Sequence, residues 1–149
     1  MAWLKPEYIT PCLMVINEEY WIYYVLRDLL KVFGRAIVVD TGSIDATKSI
    51  IKDTAKGADL QLIERSNNTP EELGQIRNYL RELCTTYWMF LIDGDEIYRE
   101  DQLYGMFTQE IKSGTPVCMG TLYNVEDCNG HIMNRVHDRS NRDILFSPE

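Results

Sequence analysis

Short apolar runs alternate with helical patterns over most of the chain. The runs Cys12–Ile16, Ala36–Val39 and Trp88–Ile92 contain only apolar residues, as in strands that are covered on both faces. Leu60–Glu64 is a fourth strand candidate in which apolar and polar residues are mixed. The pattern therefore predicts four strands, most of them buried in the middle of a layered structure.

Between these runs, apolar residues recur at the spacing of one helix face. The first set lies within Ile22–Phe33, and Gly34 supplies a C-terminal stop. A second helix is predicted from about Ala46 to Lys56, capped by Ser43 or Asp45. A third begins at Thr69, which is followed by proline and then by glutamate at the capping-box position.

A fourth helix is predicted near Asp101–Lys112, and the pattern then changes. Val117–Glu126 and His131–Val136 flank Asn129-Gly130, a preferred two-residue hairpin turn. The residues from Asp138 onward are rich in Arg, Asn and Asp and are predicted to have little order. We expect an α/β fold, a three-layer sandwich whose mostly parallel sheet carries an antiparallel hairpin near the C-terminus.

Aromatic residues crowd the first turns of the first predicted helix, namely Tyr20, Trp21, Tyr23 and Tyr24. Residues of this kind more often pack against a neighbouring element than form a binding platform. We therefore expect these four side chains to contribute to packing.

Composition narrows the class of protein. A length of 149 residues, with 45% apolar and 26% charged residues, suits one soluble globular domain. A net charge of −8 argues against a nucleic-acid partner. The four cysteines, Cys12, Cys84, Cys118 and Cys128, lack zinc-site spacing and are expected to be small buried residues in a reducing compartment. Without a signal peptide or an apolar span, the expected location is the cytoplasm.

Polar clusters follow three of the predicted strands: Asn17-Glu18, Asp40 to Asp45, and Asp93 to Glu96. The carboxyl ends of parallel strands share one edge of a sheet, so these clusters are expected to converge on a single crevice. The carboxylates of the last cluster repel one another unless a nearby positive charge compensates them. A divalent cation such as Mg²⁺ or Mn²⁺ would supply that charge. The alternative is a solvated turn that ends a strand.

Chemical roles can be assigned to some of these residues by type. Asp40 is suited to accept hydrogen bonds from a base or ribose, and Asp95 to bind a cation that bridges a pyrophosphate. Arg77 could contact the same phosphates or form a helix salt bridge with Glu72 or Glu82. Neither a dinucleotide-binding glycine motif nor a P-loop occurs in the sequence.

Four segments together resemble a known family. They read C-L-M-V-I-N-E-E (Cys12–Glu19), V-V-D-T-G-S-I-D-A-T (Val38–Thr47), I-R-N (Ile76–Asn78) and L-I-D-G-D-E (Leu91–Glu96). In this order and spacing they resemble the family 2 glycosyltransferases of the GT-A fold, in the branch whose motifs read C-M-I-V-K-N-E-E, V-V-D-T-G-S-T-D-G-T, A-R-N and L-D-A-D-E.

The resemblance implies transfer of a sugar from a nucleotide-diphosphate donor, UDP-, GDP- or dTDP-linked, with inversion and with Mn²⁺ or Mg²⁺ as cofactor. By matching position, Asp40 would hold the nucleobase, Asp93 would meet the ribose or sugar, and Asp95 would bind the metal. The whole expected donor site comprises Asn17, Glu18, Asp40, Gly42, Asp45, Arg77 and Asp93.

The sequence departs from the family in two respects. Ile16 replaces a lysine, and the acceptor-binding half with its catalytic base is expected to be short or missing, since Glu126-Asp127 follows the metal motif too closely to supply that base. One alternative is therefore a single nucleotide-binding module without transfer activity. Another is a phosphohydrolase with Asp93 as nucleophile and Asp95 as general acid.

The expected partners are a nucleotide sugar and an acceptor of unknown class, which could be a glycan, a lipid or a protein. A lipid acceptor would place the chain at the membrane surface. An unpaired sheet edge also allows a homodimer.

Overall fold

A central six-stranded sheet organises the chain. The computed structural model describes residues 2–3, 5–66, 69–106, 110–111, 117–119 and 143–146, with side chains described for 5–66 and 69–105. The strands are β1 Ala2–Trp3, β2 Ile9–Val15, β3 Arg35–Asp40, β4 Asp59–Glu64, β5 Trp88–Asp93, β6 Glu110–Ile111, β7 Val117–Met119 and β8 Asp143–Phe146. The helices are a 3₁₀ turn at Pro6–Tyr8, then α1 Ile22–Phe33, α2 Thr47–Thr54, α3 Pro70–Leu83 and α4 Glu100–Met106.

The strand order of the large sheet is β4-β3-β2-β5-β8-β7. The first four strands are parallel, whereas β8 is antiparallel to β5 and β7 is antiparallel to β8. Register aligns Asp40 with Val15, and Asp93 with Met14 of the same central strand. The carboxyl ends of β2, β3 and β5 therefore meet at one edge, as the sequence predicts for a mostly parallel α/β sheet.

Apolar side chains on the two faces of the sheet form two separate clusters. On one face α1 packs through Ile22, Val25, Leu26 and Leu29, together with Ile51 of α2. On the other face α3 packs through Ile76 and Leu80. Each buried side chain of this size stabilises the fold by about 1.5–3 kcal/mol relative to exposure. The helices on both faces complete the predicted three-layer sandwich.

Local signals in the sequence set most helix ends. At α3 the Glu72 N–H donates to Thr69 Oγ1 at 3.3 Å, and the Thr69 N–H donates to Glu72 Oε2 at 2.9 Å, which confirms the capping box. α1 ends at Phe33, and the C-cap residue Gly34 that follows has a φ of 69°, a left-handed value that favours glycine. α2 is shorter than predicted, and its N-cap residue Ala46 has no side-chain cap.

Strand β2 begins at Ile9, earlier than the predicted Cys12, even though Pro11 cannot donate a hydrogen bond. Pairing of β2 with β3 starts only at Cys12, so Pro11 precedes the part of the strand that is paired on both sides. The missing N–H is tolerated for this reason.

The C-terminal predictions are partly wrong. Glu110–Ile111, predicted as helix, is a strand antiparallel to Ala2–Trp3. The apolar run within Asp143–Phe146, predicted to have little order, pairs with both β5 and β7. The antiparallel extension is therefore present, but the partner described for β7 is not His131–Val136. That segment and the Asn129-Gly130 turn lie outside the described residues.

The aromatic residues at the start of α1 do not pack as predicted. Tyr20, Trp21, Tyr23 and Tyr24 are all exposed, Tyr20 to 75%. The buried stripe of α1 runs through Ile22 and its helical neighbours, which leaves these rings on the opposite side. No helix in the described part of the chain is long and apolar enough to cross a membrane.

Candidate functional site

Two loops at the carboxyl edge, β2–α1 and β3–α2, are tied together at Asn17. The Asn17 N–H donates to Ser43 Oγ at 2.9 Å, and the Ile44 N–H donates to Asn17 Oδ1 at 2.9 Å. Asn17 has a φ of 53°, in the left-handed region that asparagine tolerates better than most residues. The side chain of Asn17 therefore positions the second loop while its own backbone turns sharply.

The same loops are joined again at Glu18 and Glu19. The Glu18 N–H donates to Thr47 Oγ1 at 2.7 Å, and the Glu19 N–H donates to Asp45 Oδ2 at 3.2 Å. In the other direction, the Ala46 N–H donates to Glu19 Oε2 at 3.1 Å. Because these bonds engage backbone donors that no strand or helix satisfies, the two loops form one preformed unit.

Asp45 belongs to this structural unit. Its Oδ1 accepts from the Thr47 N–H at 3.0 Å, so both of its oxygens bind protein groups. Burial alone would raise the pKa of Asp45, but hydrogen bonds from the side chain and backbone of Thr47 and from the Glu19 N–H lower it below its ordinary value. The contacts of Asn17 and Asp45 suit them to position the loops.

Asp40 is the most buried carboxylate of the predicted site, with only 1% of its surface exposed. Its Oδ1 accepts from the Gly42 N–H at 3.0 Å and from the Ser43 N–H at 2.8 Å. Its Oδ2 is buried and has no hydrogen-bond partner among the described residues. A buried carboxylate oxygen without a donor is unfavourable, so this atom is a candidate acceptor for a ligand.

The backbone around Asp40 is also fixed. The Arg65 N–H donates to the Asp40 carbonyl oxygen at 2.7 Å, and the Arg65 guanidinium stacks on the Tyr79 ring at 3.9 Å. Gly42 has a φ of 121°, which favours glycine, and the position of its missing Cβ lies 3.8 Å from Ser66 Cα. The segment after β4 therefore borders the turn that orients Asp40.

The acidic turn after β5 is closed by two bonds: Asp93 N–H donates to Glu96 Oε2 at 3.1 Å, and Glu96 N–H donates to Asp93 O at 3.0 Å. Gly94 is buried, and a Cβ there would lie 2.8 Å from Glu18 Cγ and 2.9 Å from Val15 Cγ1. Glycine therefore allows this turn to lie directly against the end of β2. Asp95 remains exposed.

The close approach brings carboxylates together. The pKa of Glu18 is raised above its ordinary value, first by burial and then by the negative charges of Asp95, Asp45 and Asp93. Among the side chains that the structure describes, no group of three or more His, Cys, Asp or Glu is arranged to hold a metal ion. One or two of these carboxylates with phosphate oxygens would instead suit Mg²⁺ or Mn²⁺, whose positive charge the local field favours.

Arg77 lies on the exposed side of α3. Within the described residues it forms no ion pair, so the predicted alternative of a salt bridge with Glu72 or Glu82 is not observed. Arg77 remains free to bind a ligand from α3.

Sequence reasoning missed the residues that hold the two loops in place. Ser43 and Thr47 form hydrogen bonds across the loops, whereas the sequence predicts Ser43 only as a possible helix cap. The role of Arg65 and Tyr79 had no signal in the sequence. Only the hydroxyl-rich stretch between Asp40 and Thr47 could have indicated side chains that satisfy a neighbouring loop.

Comparison with known proteins places the chain in a family. The sequence model of "Glycosyl transferase family 2" matches residues 12–147. This chain belongs to glycosyl transferase family 2. This chain is 29% identical over 93 residues to the SPbeta prophage-derived glycosyltransferase SunS of Bacillus subtilis. The aligned segment covers 62% of this chain and 21% of SunS.

Solved structures with the same fold include S. aureus TarS and a mannosyltransferase. S. aureus TarS 1–349 in complex with UDP-GlcNAc superposes with a TM-score of 0.56 at 21% identity, over 68% of this chain and 30% of that one. The mannosyltransferase PcManGT of Pyrobaculum calidifontis, in complex with GDP-Man and Mn²⁺, gives a TM-score of 0.53 at 17% identity, over 80% and 38%. These likenesses confirm the predicted GT-A fold. The chain spans about a fifth of the length of SunS.

Proposed function

We propose that this chain binds a nucleotide-diphosphate sugar and serves as the donor-binding domain of a glycosyltransferase. The observation that carries the proposal is that the buried Oδ2 of Asp40 has no hydrogen-bond donor among the described residues. Asp40 lies at the same sheet edge as the acidic turn. Family membership supports this assignment, as do the TarS complex with UDP-GlcNAc and the PcManGT complex with GDP-Man.

Asp40 suggests which bases the site accepts. A carboxylate oxygen can only accept hydrogen bonds, so its partner must carry a donor. Uracil, thymine and guanine present a ring N–H on their base-pairing edge, whereas the ring nitrogen of cytosine and adenine accepts there and only their exocyclic amino group donates. An acceptor facing Asp40 would leave two buried polar atoms unsatisfied, which costs about 1–3 kcal/mol. We therefore propose a UDP, GDP or dTDP donor.

The acidic turn would hold the diphosphate through a cation. Asp95 is exposed and would bind Mn²⁺ or Mg²⁺, while Asp93 and Glu18 contribute to the negative field around it. When bound, such an ion acts as a Lewis acid that stabilises negative charge on the departing diphosphate. Arg77 would add a charge-assisted contact to the donor. In this arrangement Gly42, Asn17 and Asp45 shape the pocket around the nucleotide.

The catalytic base remains unassigned, and inversion is proposed from the family alone. A general base would take the proton of the acceptor hydroxyl during attack. Glu126-Asp127 lies outside the described residues. The phosphohydrolase alternative loses support because the family match includes the segment that carries Asp93 and Asp95.

Calorimetric titration of UDP, GDP, dTDP, CDP and ADP, each with and without Mn²⁺, tests the proposal. One of the first three should bind with Mn²⁺, and CDP and ADP should bind about tenfold to a hundredfold more weakly. Equal binding of all five would contradict the role of Asp40, and no binding would contradict the donor site. Binding without release of nucleotide from the matching nucleotide sugar would favour the module without transfer activity.

A further inference from the structure

Two cysteines meet on the α3 face of the sheet, away from the candidate donor site. Cys12 lies in the middle of the central strand β2, and Cys84 is the C-terminal cap residue of α3. Both are buried and free, and both belong to the cluster that contains Ile76 and Leu80. They are 72 positions apart in sequence, so only the fold brings them together.

Polar groups of two threonines, Thr10 and Thr86, lie between the two thiols. Cys12 Sγ lies 3.6 Å from the Thr10 carbonyl oxygen, and Thr10 Oγ1 lies 2.8 Å from Thr86 Oγ1. Thr86 Oγ1 in turn lies 3.4 Å from Cys84 Sγ. The two sulfurs also act on each other, since each shifts the pKa of the other. Two cysteines that served only as apolar core residues would not need these polar partners.

The two sulfurs differ chemically. The hydrogen bond from Cys12 lowers the pKa of Cys84 to about 6, against the opposing effect of burial and with further help from Thr86. The same hydrogen bond and burial raise the pKa of Cys12. The thiolate, which is the reactive form, is therefore favoured at Cys84 over Cys12.

We propose that Cys12 and Cys84 form a redox-active dithiol that closes to an intrachain disulfide when it reacts with hydrogen peroxide. The Cys84 thiolate attacks one peroxide oxygen, the O–O bond breaks, and with one proton the products are Cys84 sulfenic acid and water. The Cys12 sulfur then attacks the Cys84 sulfur, and its proton leaves with the hydroxyl as a second water. Two thiols are oxidised to one disulfide while one peroxide is reduced to two waters.

Peptide mapping of the native wild-type chain tests this proposal. The protein is treated with hydrogen peroxide, its free thiols are alkylated, and it is digested with trypsin without reduction. The expected product joins peptide 1–27, which contains Cys12, to peptide 82–99, which contains Cys84. Dithiothreitol should release both peptides. If Cys12 and Cys84 are both fully alkylated after peroxide treatment, the pair is an inert part of the core and the proposal is wrong.

Variants separate the roles of the two sulfurs. Cys12→Ser removes the second thiol but keeps a hydroxyl that can donate a hydrogen bond to Cys84, so the cross-linked product should disappear and dimedone should label Cys84 as sulfenic acid. The double change Cys118→Ser with Cys128→Ser is the matched control and should leave the cross-link unchanged. Loss of the Cys12–Cys84 product in this control would overturn the proposal. The result does not depend on nucleotide binding, because the dithiol lies outside the donor site.

Discussion

Two carboxylate clusters at the same sheet edge are built in opposite ways. Asp40 is buried and oriented by two backbone donors, inside a pair of loops joined by side-chain hydrogen bonds. Asp95 is exposed on a short turn whose neighbourhood is strongly negative. Hydrogen bonds within the protein already fix the region around Asp40. The negative charge around Asp95, in contrast, would be compensated only when a cation binds. Base recognition and cation binding should therefore respond differently to mutation.

The largest effect is expected from Asp95→Ala. Loss of a cation ligand should weaken Mn²⁺-dependent nucleotide binding by about a hundredfold, while binding without metal and thermal stability change little, because Asp95 is exposed. Calorimetry with and without Mn²⁺ measures the first effect and thermal unfolding the second. Asp53→Ala, at an exposed position on α2, is the control for loss of one negative charge. Unchanged Mn²⁺ dependence in Asp95→Ala would place the cation elsewhere.

Asp40→Asn should change specificity instead. The amide oxygen can keep the bonds from Gly42 and Ser43, which leaves the amide N–H₂ at the position of Oδ2. A donor there suits cytosine, so affinity for UDP or its counterpart should fall about tenfold and CDP should become the better ligand. Titration of both nucleotides against the variant and the wild type decides the point. A uniform loss for all nucleotides would mean that Asp40 does not face the base.

Much of this comparison was predictable from the sequence. Apolar runs locate the strands because a parallel sheet buries both faces, and the capping residues at Thr69 and Gly34 set two helix ends. Parallel strands share an edge, which places Asp40 and Asp93 near one another. These inferences need only periodicity and topology.

The other features of the fold and site depend on contacts between distant parts of the chain, which sequence periodicity does not reveal. The bonds from Asn17 to Ser43 and from Glu18 to Thr47 join residues more than twenty positions apart, so nothing local predicts them. The run within Asp143–Phe146 lies between β5 and β7 in the sheet, although its flanking composition suggested disorder. The exposed rings at the start of α1 likewise depend on which face the helix buries.

Thr47→Val tests how far the preformed loops support the base site. The hydroxyl is fully buried and accepts the Glu18 N–H at 2.7 Å, so valine would leave that N–H unsatisfied. The free energy of unfolding should fall by about 1–3 kcal/mol, and nucleotide affinity should fall with it. Urea denaturation and calorimetry measure the two changes. Thr54→Val is the control and should change affinity little, because the Thr54 hydroxyl donates to the Ile50 carbonyl oxygen within the same helix.

The smallest effect concerns the acidic region and depends on pH. The pKa of Glu18 is raised above 4.5 in the folded chain. At a pH between 4.5 and the raised pKa, the folded chain therefore binds more protons than the unfolded chain. Stability should therefore be lost as the pH rises through this window. Glu18→Gln removes the ionisation, and in metal-free buffer it should be more stable than the wild type at pH 7.

The stability gap between Glu18→Gln and the wild type should narrow as the pH falls towards 4.5. Denaturant titrations across this range measure it, and Glu82→Gln on the exposed side of α3 corrects for the loss of one charge. Addition of Mn²⁺ with nucleotide should also reduce the gap, because a bound cation favours the ionised wild-type carboxylate. A stability gap that stays constant with pH would show that the acidic turn does not raise the pKa of Glu18. The acidic region would then be as stable without a ligand as the region around Asp40.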